Sequence, residues 1–230
     1  ATRGDGGQNE IGSELFDALA VLRTEELLAA HRFDGSEQYF TRAIDFGYSF
    51  SIEETFEKWG RQEILADFVR MIRTIRPDVI TGLSSEGRGG GQHHQASGVL
   101  IKEAFRIAAD PKRFPEQIKA GLRPWQAKKF YTREWYGFSE LSAGSRRKNV
   151  AAINVGAYDS LLGRTYSETG NMARGMHKCQ GMSQFAGTPG PAIVHYRLVD
   201  AVVQSLSEVT ETSLFNGLDT TITGIAQYAV

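Results

Sequence analysis

The feature that most constrains the fold of this chain is a helical pattern followed at once by a buried strand. Six apolar residues recur at the spacing of one helix face: Ile64, Leu65, Phe68, Met71, Ile72 and Ile75. Pro77 ends this helix, because proline disfavours helical geometry at the residue before it. Residues 78–81 then form the kind of apolar run that is typical of buried parallel strands. A helix that leads directly into such a strand predicts an α/β fold.

The rest of the chain continues this alternation of elements. Further helices are predicted over residues 14–31, 93–109 and 165–182, and further strands over residues 38–46, 129–132, 150–155 and 193–199. We therefore expect a Rossmann-like, three-layer α/β fold with a mainly parallel sheet and long active-site loops. The length of 230 residues and the absence of an internal repeat favour one domain over residues 1–230.

Glycine marks the loops in which a site could be built. The chain has 25 glycines, clustered over residues 4–12, 82–98 and 156–190. In parallel α/β sheets, ligands bind beyond the carboxyl ends of the strands, which is where these loops are predicted. No Gly-Lys-Ser/Thr sequence and no GxGxxG register is present, so a phosphate-binding loop is disfavoured.

Composition excludes several classes of protein. The 26 basic and 27 acidic residues give a net charge of -1, so the chain has no excess of positive charge that would favour binding to nucleic acid or anionic lipid. The longest apolar runs are far below the roughly 18–20 residues that a membrane span needs. The single cysteine, Cys179, excludes an intrachain disulfide framework, and it has no obvious partner for a thiol mechanism. The sequence makes no prediction of compartment.

Histidines supply the first candidates for chemistry. His93 and His94 follow the predicted strand and glycine-rich loop, where an imidazole is well placed to bind a metal. Adjacent residues point about 100° apart on a helix, so we expect one ligand and one proton-handling partner. The alternative is a solvated polar helix start. The spacing of Arg23 and Glu26 is by itself typical of a solvated salt bridge on a helix surface. The position of His177 near the end of a predicted helix is by itself typical of a residue that stabilises the helix end.

Five short strings together resemble one family. They are TRGDGGQN at 2–9, LRTEE at 22–26, DFG at 45–47, HHQAS at 93–97 and HKCQ at 177–180. In this order and spacing they resemble the PIG-L/LmbE-like zinc-dependent N-deacetylases, which remove acetyl groups from N-acetylglucosamine-type sugars. The resemblance covers nearly the whole chain and implies a zinc-dependent hydrolase that acts on a small-molecule sugar or glycoconjugate.

The resemblance also implies roles for particular residues. His94 matches the histidine that ligates zinc, and Arg23 and Asp45 match polar residues that line the sugar pocket. His177 matches a histidine near the active site, where it would act in catalysis, although Cys179 replaces the serine usual two residues later.

The active-site loop and proton handling are implied in the same way. Asp5 occupies the acidic position of the family's glycine-rich turn, and Asn9 ends the same string. His93 stands where the family usually carries an acidic residue, which implies altered proton handling or a divergent subfamily. A further histidine of that loop, assigned to proton transfer in the family, has Gly91 or Gln92 near its position.

One part of the family pattern is missing. The opening His-Pro-Asp-Asp motif, which supplies two zinc ligands and the general base, is not present. Because the chain opens like the exit of a strand into a turn, we expect that this motif lies upstream of residue 1. The apolar residues 222–230 show no residue pattern that would end an element, so we regard the C-terminal end as a second candidate site of truncation.

Two alternative functions remain open. One is a non-catalytic member of the same fold that binds a sugar without metal, and the other is a nucleotide-binding Rossmann domain. The aromatic insert over residues 111–147 either shapes substrate choice, forms a contact in a homo-oligomer, or is a solvated lid, which we favour.

Overall fold

The computed structural model describes residues 1–86, 90–134, 149–182, 190–203 and 211–224. The helices are α1 (Asp17–Asp34), α2 (Ile52–Trp59), α3 (Arg61–Ile75), α4 (Gln92–Ile107), α5 (Pro115–Lys119) and α6 (Tyr166–Arg174), with a 3₁₀ helix at Lys178–Gln180. The strands are β1 (Val79–Gly82), β2 (Lys129–Glu134), β3 (Val150–Asn154), β4 (Tyr158–Asp159), β5 (Arg164–Thr165) and β6 (Ile193–Ala201). No helix in these ranges is long and apolar enough to cross a bilayer.

The core lies where α3 and α4 pack beside the first two strands of the sheet. The apolar face predicted for α3 is largely buried, and the small residues of α4 allow the two helices to approach closely. The largest fully buried members of this core are Ile64, Leu65, Val69, Leu100, Phe105 and Phe130. Burying these side chains is the main favourable contribution to folding in this half of the chain.

The main sheet is mixed, with the strand order β1-β2-β6-β3. β1 and β2 are parallel, with Val79 opposite Lys129, whereas β6 runs antiparallel to both of its neighbours, β2 and β3. The predicted mainly parallel sheet is therefore not confirmed, and the Rossmann-like layering is not confirmed either. An apolar run is compatible with a buried strand of either direction, and the pairing of β6 decides the direction here.

Two predicted elements differ from the structure. Residues 38–46 form a loop rather than a strand, and Trp59 Nε1 donates to the Ile44 carbonyl at 2.9 Å to hold it. The predicted helix over 165–182 breaks after Arg174 at Gly175, and the chain turns before the 3₁₀ helix. Glycine at that position weakens the helix, and the break places His177 in the turn.

A buried polar cluster fastens the segment at 211–224 to the sheet. Lys129 is fully buried and its Nζ donates to Glu211 Oε1 at 2.8 Å and to the Tyr131 hydroxyl at 3.0 Å. The Tyr131 hydroxyl in turn donates to Glu211 Oε2. Backbone hydrogen bonds join Ala152 N to Glu211 O at 2.8 Å and Glu211 N to Val150 O at 3.2 Å.

The predicted aromatic insert lies only partly within the described residues. Residues 135–148 are outside them, and with them Trp135 and Tyr136. Trp125 packs against the core and donates from Nε1 to the Pro77 carbonyl at 2.8 Å. This tryptophan therefore belongs to the packing of the domain.

Candidate functional site

A cavity of about 650 Å³ is lined by glycine-rich loops and by residues of three helices. Its walls come mainly from the N-terminal turn with α1, the loop at 45–49, the start of α4, and the turn before the 3₁₀ helix, and Trp59 of α2 and Leu83 after β1 complete them. Five of the seven residues predicted from the sequence line it: Arg23, Asp45, His93, His94 and His177. Asp5 and Asn9 do not line this cavity.

The glycine-rich N-terminal turn is shaped around Arg23. A Cβ atom at Gly4 or at Gly7 would lie 2.5 Å from Nη1 of this arginine, and Gly4 also has a φ of +79°. The side chain is only 9% exposed, and Nη2 donates to the Gln8 carbonyl. Its buried Nε has no hydrogen-bond partner among the described residues. The turn thus holds a guanidinium at the cavity wall, and this group has N–H donors that are not used in hydrogen bonds to the described residues.

Arg23 and Glu26 do not form the solvated surface pair that their spacing suggests. Glu26 is 7% exposed, and its Oε1 accepts a hydrogen bond from Cys179 N at 2.7 Å. This carboxylate joins α1 to the 3₁₀ helix across 153 positions of sequence. Sequence reasoning missed that role, because the spacing of Arg23 and Glu26 alone indicates an exposed face.

Asp5 and Asn9 shape the turns beside the cavity. Asp5 Oδ2 accepts from Asp45 N at 3.0 Å, and Asp45 Oδ1 accepts from Gly47 N at 2.9 Å. Asp5 therefore positions the loop that carries Asp45. Asn9 Nδ2 donates to Glu14 Oε2 at 3.0 Å, which closes a local turn away from the cavity.

His93 lies in a partly aromatic wall. Its ring packs edge-on to Phe46, with centroids 4.4 Å apart, and lies 5.1 Å from the Trp59 ring. Nδ1 is 3.5 Å from Asp45 Oδ1, and the buried Nε2 has no hydrogen-bond partner among the described residues. Burial lowers the pKa of His93, and the nearby Asp45 opposes that shift in part. The imidazole is therefore favoured in its neutral form, with one ring nitrogen able to accept a proton.

His94 is the exposed member of the pair. The sequence predicts it as a zinc ligand, and the structure places it on the cavity wall next to Gly90. Within the described ranges, no group of three or more His, Cys, Asp or Glu side chains could hold a metal ion. The donor set of the described residues therefore does not by itself fit zinc, which needs at least three protein ligands.

His177 reaches the cavity from the turn that follows α6. Burial lowers its pKa, and Glu26 opposes this shift, so a neutral imidazole is favoured here as well. The neighbouring Cys179 is fully buried, and burial followed by its hydrogen bond to Glu26 raises the pKa of the thiol to about 11. That thiol stays protonated at neutral pH, as expected for a cysteine with no nucleophilic role.

Two aromatic residues at the cavity were not predicted. Trp59 and Tyr48 both contribute to its walls. For Tyr48 the sequence does carry a signal, because DFGYSF at 45–50 places three aromatic residues close to Asp45. Aromatic side chains in such a short loop are as often core as surface, so the pattern alone does not place them.

Comparison with known proteins gives a partial match. Residues 1–105 match the family model described as PIG-L: GlcNAc-PI de-N-acetylase. That range includes Arg23, Asp45, His93 and His94, whereas His177 lies beyond it. No curated protein matches the chain.

Among the solved structures that are similar to this chain is one of low sequence identity. It is the N,N'-diacetylchitobiose deacetylase from Pyrococcus horikoshii in complex with its inhibitor MPG, with 18% sequence identity and a TM-score of 0.44. The similarity covers 60% of this chain and 48% of that one, so the chain spans about half the length of the deacetylase.

Proposed function

We propose that this chain is a deacetylase of the PIG-L type, which hydrolyses the N-acetyl group of an N-acetylglucosamine-type sugar or glycoconjugate. One observation carries the proposal. Residues from the four family-like strings LRTEE, DFG, HHQAS and HKCQ lie far apart in sequence, yet all four contribute side chains to one cavity. The match of residues 1–105 to the de-N-acetylase family supports the same reaction.

The substrate would be held mainly by Arg23 and Asp45. The guanidinium offers donors to a sugar hydroxyl or to the amide carbonyl, and the carboxylate of Asp45 accepts from hydroxyl groups. Because Arg23 is fixed by the N-terminal turn, little side-chain entropy is lost when it binds substrate. These two groups therefore orient the acetamido group without needing to move.

Proton transfer would fall to the two half-buried imidazoles. Amide hydrolysis must remove a proton from the attacking water and deliver one to the departing amine. His93 and His177 both have lowered pKa values and favour the neutral state. A neutral imidazole can accept one proton or donate the one it carries, so the pair can serve either side of the reaction.

The zinc ion stays a prediction from the family resemblance. Zinc would activate water and polarise the carbonyl, and His94 would be its ligand in this chain. The described residues do not provide three ligands, and the roles of Arg23, Asp45, His93 and His177 given above do not depend on a bound ion.

The proposal is tested by release of free amine from N-acetylglucosamine and from its β-linked disaccharide. We expect the wild-type protein to release amine, and Arg23→Ala to lower kcat/KM at least about tenfold, because a hydrogen bond to a charged group is worth about 1.5–3 kcal/mol. Arg42→Ala is the matched control, since Arg42 is exposed and pairs with Asp67 away from the cavity.

Arg23→Lys and a melting curve separate binding from folding. The lysine variant keeps the charge but loses the forked donor, so we expect a higher KM with a fold that melts normally. If the wild-type protein binds both sugars and releases no amine, the non-catalytic alternative replaces this proposal.

A further inference from the structure

The outer face of α1 carries large apolar side chains that are exposed. The inner face of this helix packs on the domain through Leu19, Ala20, Arg23, Glu26 and Ala30. On the opposite face, Val21 is 66% exposed and Leu28 is 43% exposed. A surface helix usually turns its apolar residues inward and its charged residues outward. This helix instead buries two charged residues and exposes two large apolar ones.

The exposed residues of α1 form a narrow stripe along the helix, which we call the outer stripe. At about 100° per residue, Asp17, Val21, Leu28 and Arg32 lie within about 60° of one another around the helix axis. The two charged residues stand at the ends of the stripe and are also exposed. Single exposed apolar residues are ordinary on a protein surface. Here two of them recur on one helix face between an acidic and a basic end.

The apolar surface continues beyond the outer stripe. Beside Val21, a groove of about 530 Å³ lies between α1 and residues 41–44, and Ile44 on its other wall is exposed. Directly before the helix, Phe16 is 68% exposed and has a φ of +53°, which residues other than glycine rarely adopt. Its N–H donates to the Asp5 carbonyl at 3.1 Å. The surrounding turn therefore holds an aromatic side chain outward in a strained conformation.

The charges favour a second copy of the same helix in antiparallel orientation. Asp17 lies in the first turn of α1 and Arg32 lies in the last. In a symmetric antiparallel pair, residues at equal distances from the middle of the stripe face each other. Positions 17 and 32 share their midpoint with positions 21 and 28. One arrangement therefore places Asp17 opposite Arg32 of the second copy and Val21 opposite Leu28 of the second copy, each twice.

We infer that the outer stripe of α1 is the contact surface between two copies of this chain, paired antiparallel about a two-fold axis. Burial of the two apolar pairs stabilises the contact. The two charge pairs fix its direction, because a parallel pair would place like charges together at both ends. Glu25 lies close to the axis, where Arg3 donates to Thr24 Oγ1 at 3.0 Å, so this guanidinium is placed to offset the Glu25 carboxylates.

The size of the surface indicates a weak and reversible dimer. The 18 residues of α1 give a helix about 27 Å long, so a contact along it lies at the small end of specific interfaces. An anionic membrane fits this surface less well, because Asp17 and Glu25 outnumber Arg32 along the stripe.

The inference is tested by sedimentation velocity of the chain in solution, without any substrate. The wild-type chain is followed from about 1 to 200 μM, where a weak interface has a measurable dissociation constant, and we expect a reversible monomer–dimer equilibrium. Leu28→Glu should weaken the dimer at least about tenfold, because symmetry places two carboxylates against apolar side chains. Leu161→Glu is the matched control at a 95% exposed position between β4 and β5, and it should change the dissociation constant less than about twofold.

A charge swap tests the direction of the two helices. Asp17→Arg and Arg32→Asp should each weaken the dimer about tenfold, because each places like charges opposite one another at both ends. The double variant restores opposite charges and should return to within about threefold of the wild-type dissociation constant. Because these positions are exposed, every variant should melt within about 4 °C of the wild-type chain.

The outcomes separate the inference from the proposed function. A dimer that the single charge variants weaken and the double variant restores supports the inference, whether or not the chain releases amine from a sugar. A monomer at every concentration overturns it, and so does a dimer that survives Leu28→Glu or that ignores the charge variants. Binding to phosphatidylserine vesicles by a chain that stays monomeric, with loss of that binding in Leu28→Glu, would show a membrane contact instead.

Discussion

The buried ion pair between Lys129 and Glu211 predicts a large and strongly coupled effect on stability. Lys129 is fully buried and Glu211 is 6% exposed, so neither charge gains much from water. In Glu211→Gln, the Lys129 ammonium keeps its hydrogen bond to Tyr131 but loses its counter-charge. Breaking one side of a buried pair costs about 3–5 kcal/mol, because an uncompensated charge remains inside.

That loss is a large part of the stability of a domain, which is usually about 5–15 kcal/mol. At about 2–4 °C per kcal/mol for a chain of this size, Glu211→Gln should lower Tm by about 6–20 °C. Lys129→Met should cost a similar amount, since it leaves the Glu211 carboxylate with only the Tyr131 hydroxyl. The double variant should cost much less than the sum of the two, because no buried charge is left alone.

Urea unfolding followed by tryptophan fluorescence measures the free energy of unfolding of the wild-type chain, the two single variants and the double variant, which together form a double-mutant cycle. Arg106→Met is the control, because Arg106 is half exposed and pairs with Asp200 at the surface, where such a pair is worth about 0–1 kcal/mol. Single variants that each cost less than about 1 kcal/mol, or costs that simply add in the double variant, would refute the reasoning. They would mean that water or another charge compensates these groups.

Two further predictions concern the histidines of the cavity. His177→Ala should lower kcat about 10²–10³-fold, because a positioned donor at the reacting amide is lost. The variant should melt within a few degrees of the wild-type chain; deacetylation at the wild-type rate would remove His177 from the reaction. In a chain that also carries the His-Pro-Asp-Asp motif, His94→Ala should lose bound zinc, measured by elemental analysis of the purified protein, with little change in Tm because His94 is exposed. Unchanged zinc content in that variant would contradict its role as a ligand.

Local sequence was enough to predict the elements whose signals are strong and short in range. The apolar stripe and Pro77 predict the helix that the structure has at Arg61–Ile75, followed by the strand Val79–Gly82. The start of α4 at Gln92 lies one residue from its predicted position. In these cases, helical periodicity and the steric effect of proline act within one or two turns, so no distant contact is needed to decide the outcome.

The candidate site was found through five short strings, and their residue types already suggested its chemistry. The strings could not show which of their side chains meet. Arg23 and Glu26 have the spacing of a surface pair, yet the folded N-terminal turn and the 3₁₀ helix bury both. Their burial depends on segments up to 153 positions away, which spacing within one helix cannot reveal.

The direction of the sheet and the position of His177 were likewise settled by long-range packing. A strand such as β6 satisfies its backbone in either orientation, and its pairing with β2 and β3 is antiparallel on both sides. The break after α6 turned a predicted helical His177 into a turn residue at the cavity. The break itself has a local cause in Gly175, whereas the strand directions and the meeting of His177 with Arg23 and Asp45 at one cavity depend on contacts between residues far apart in sequence.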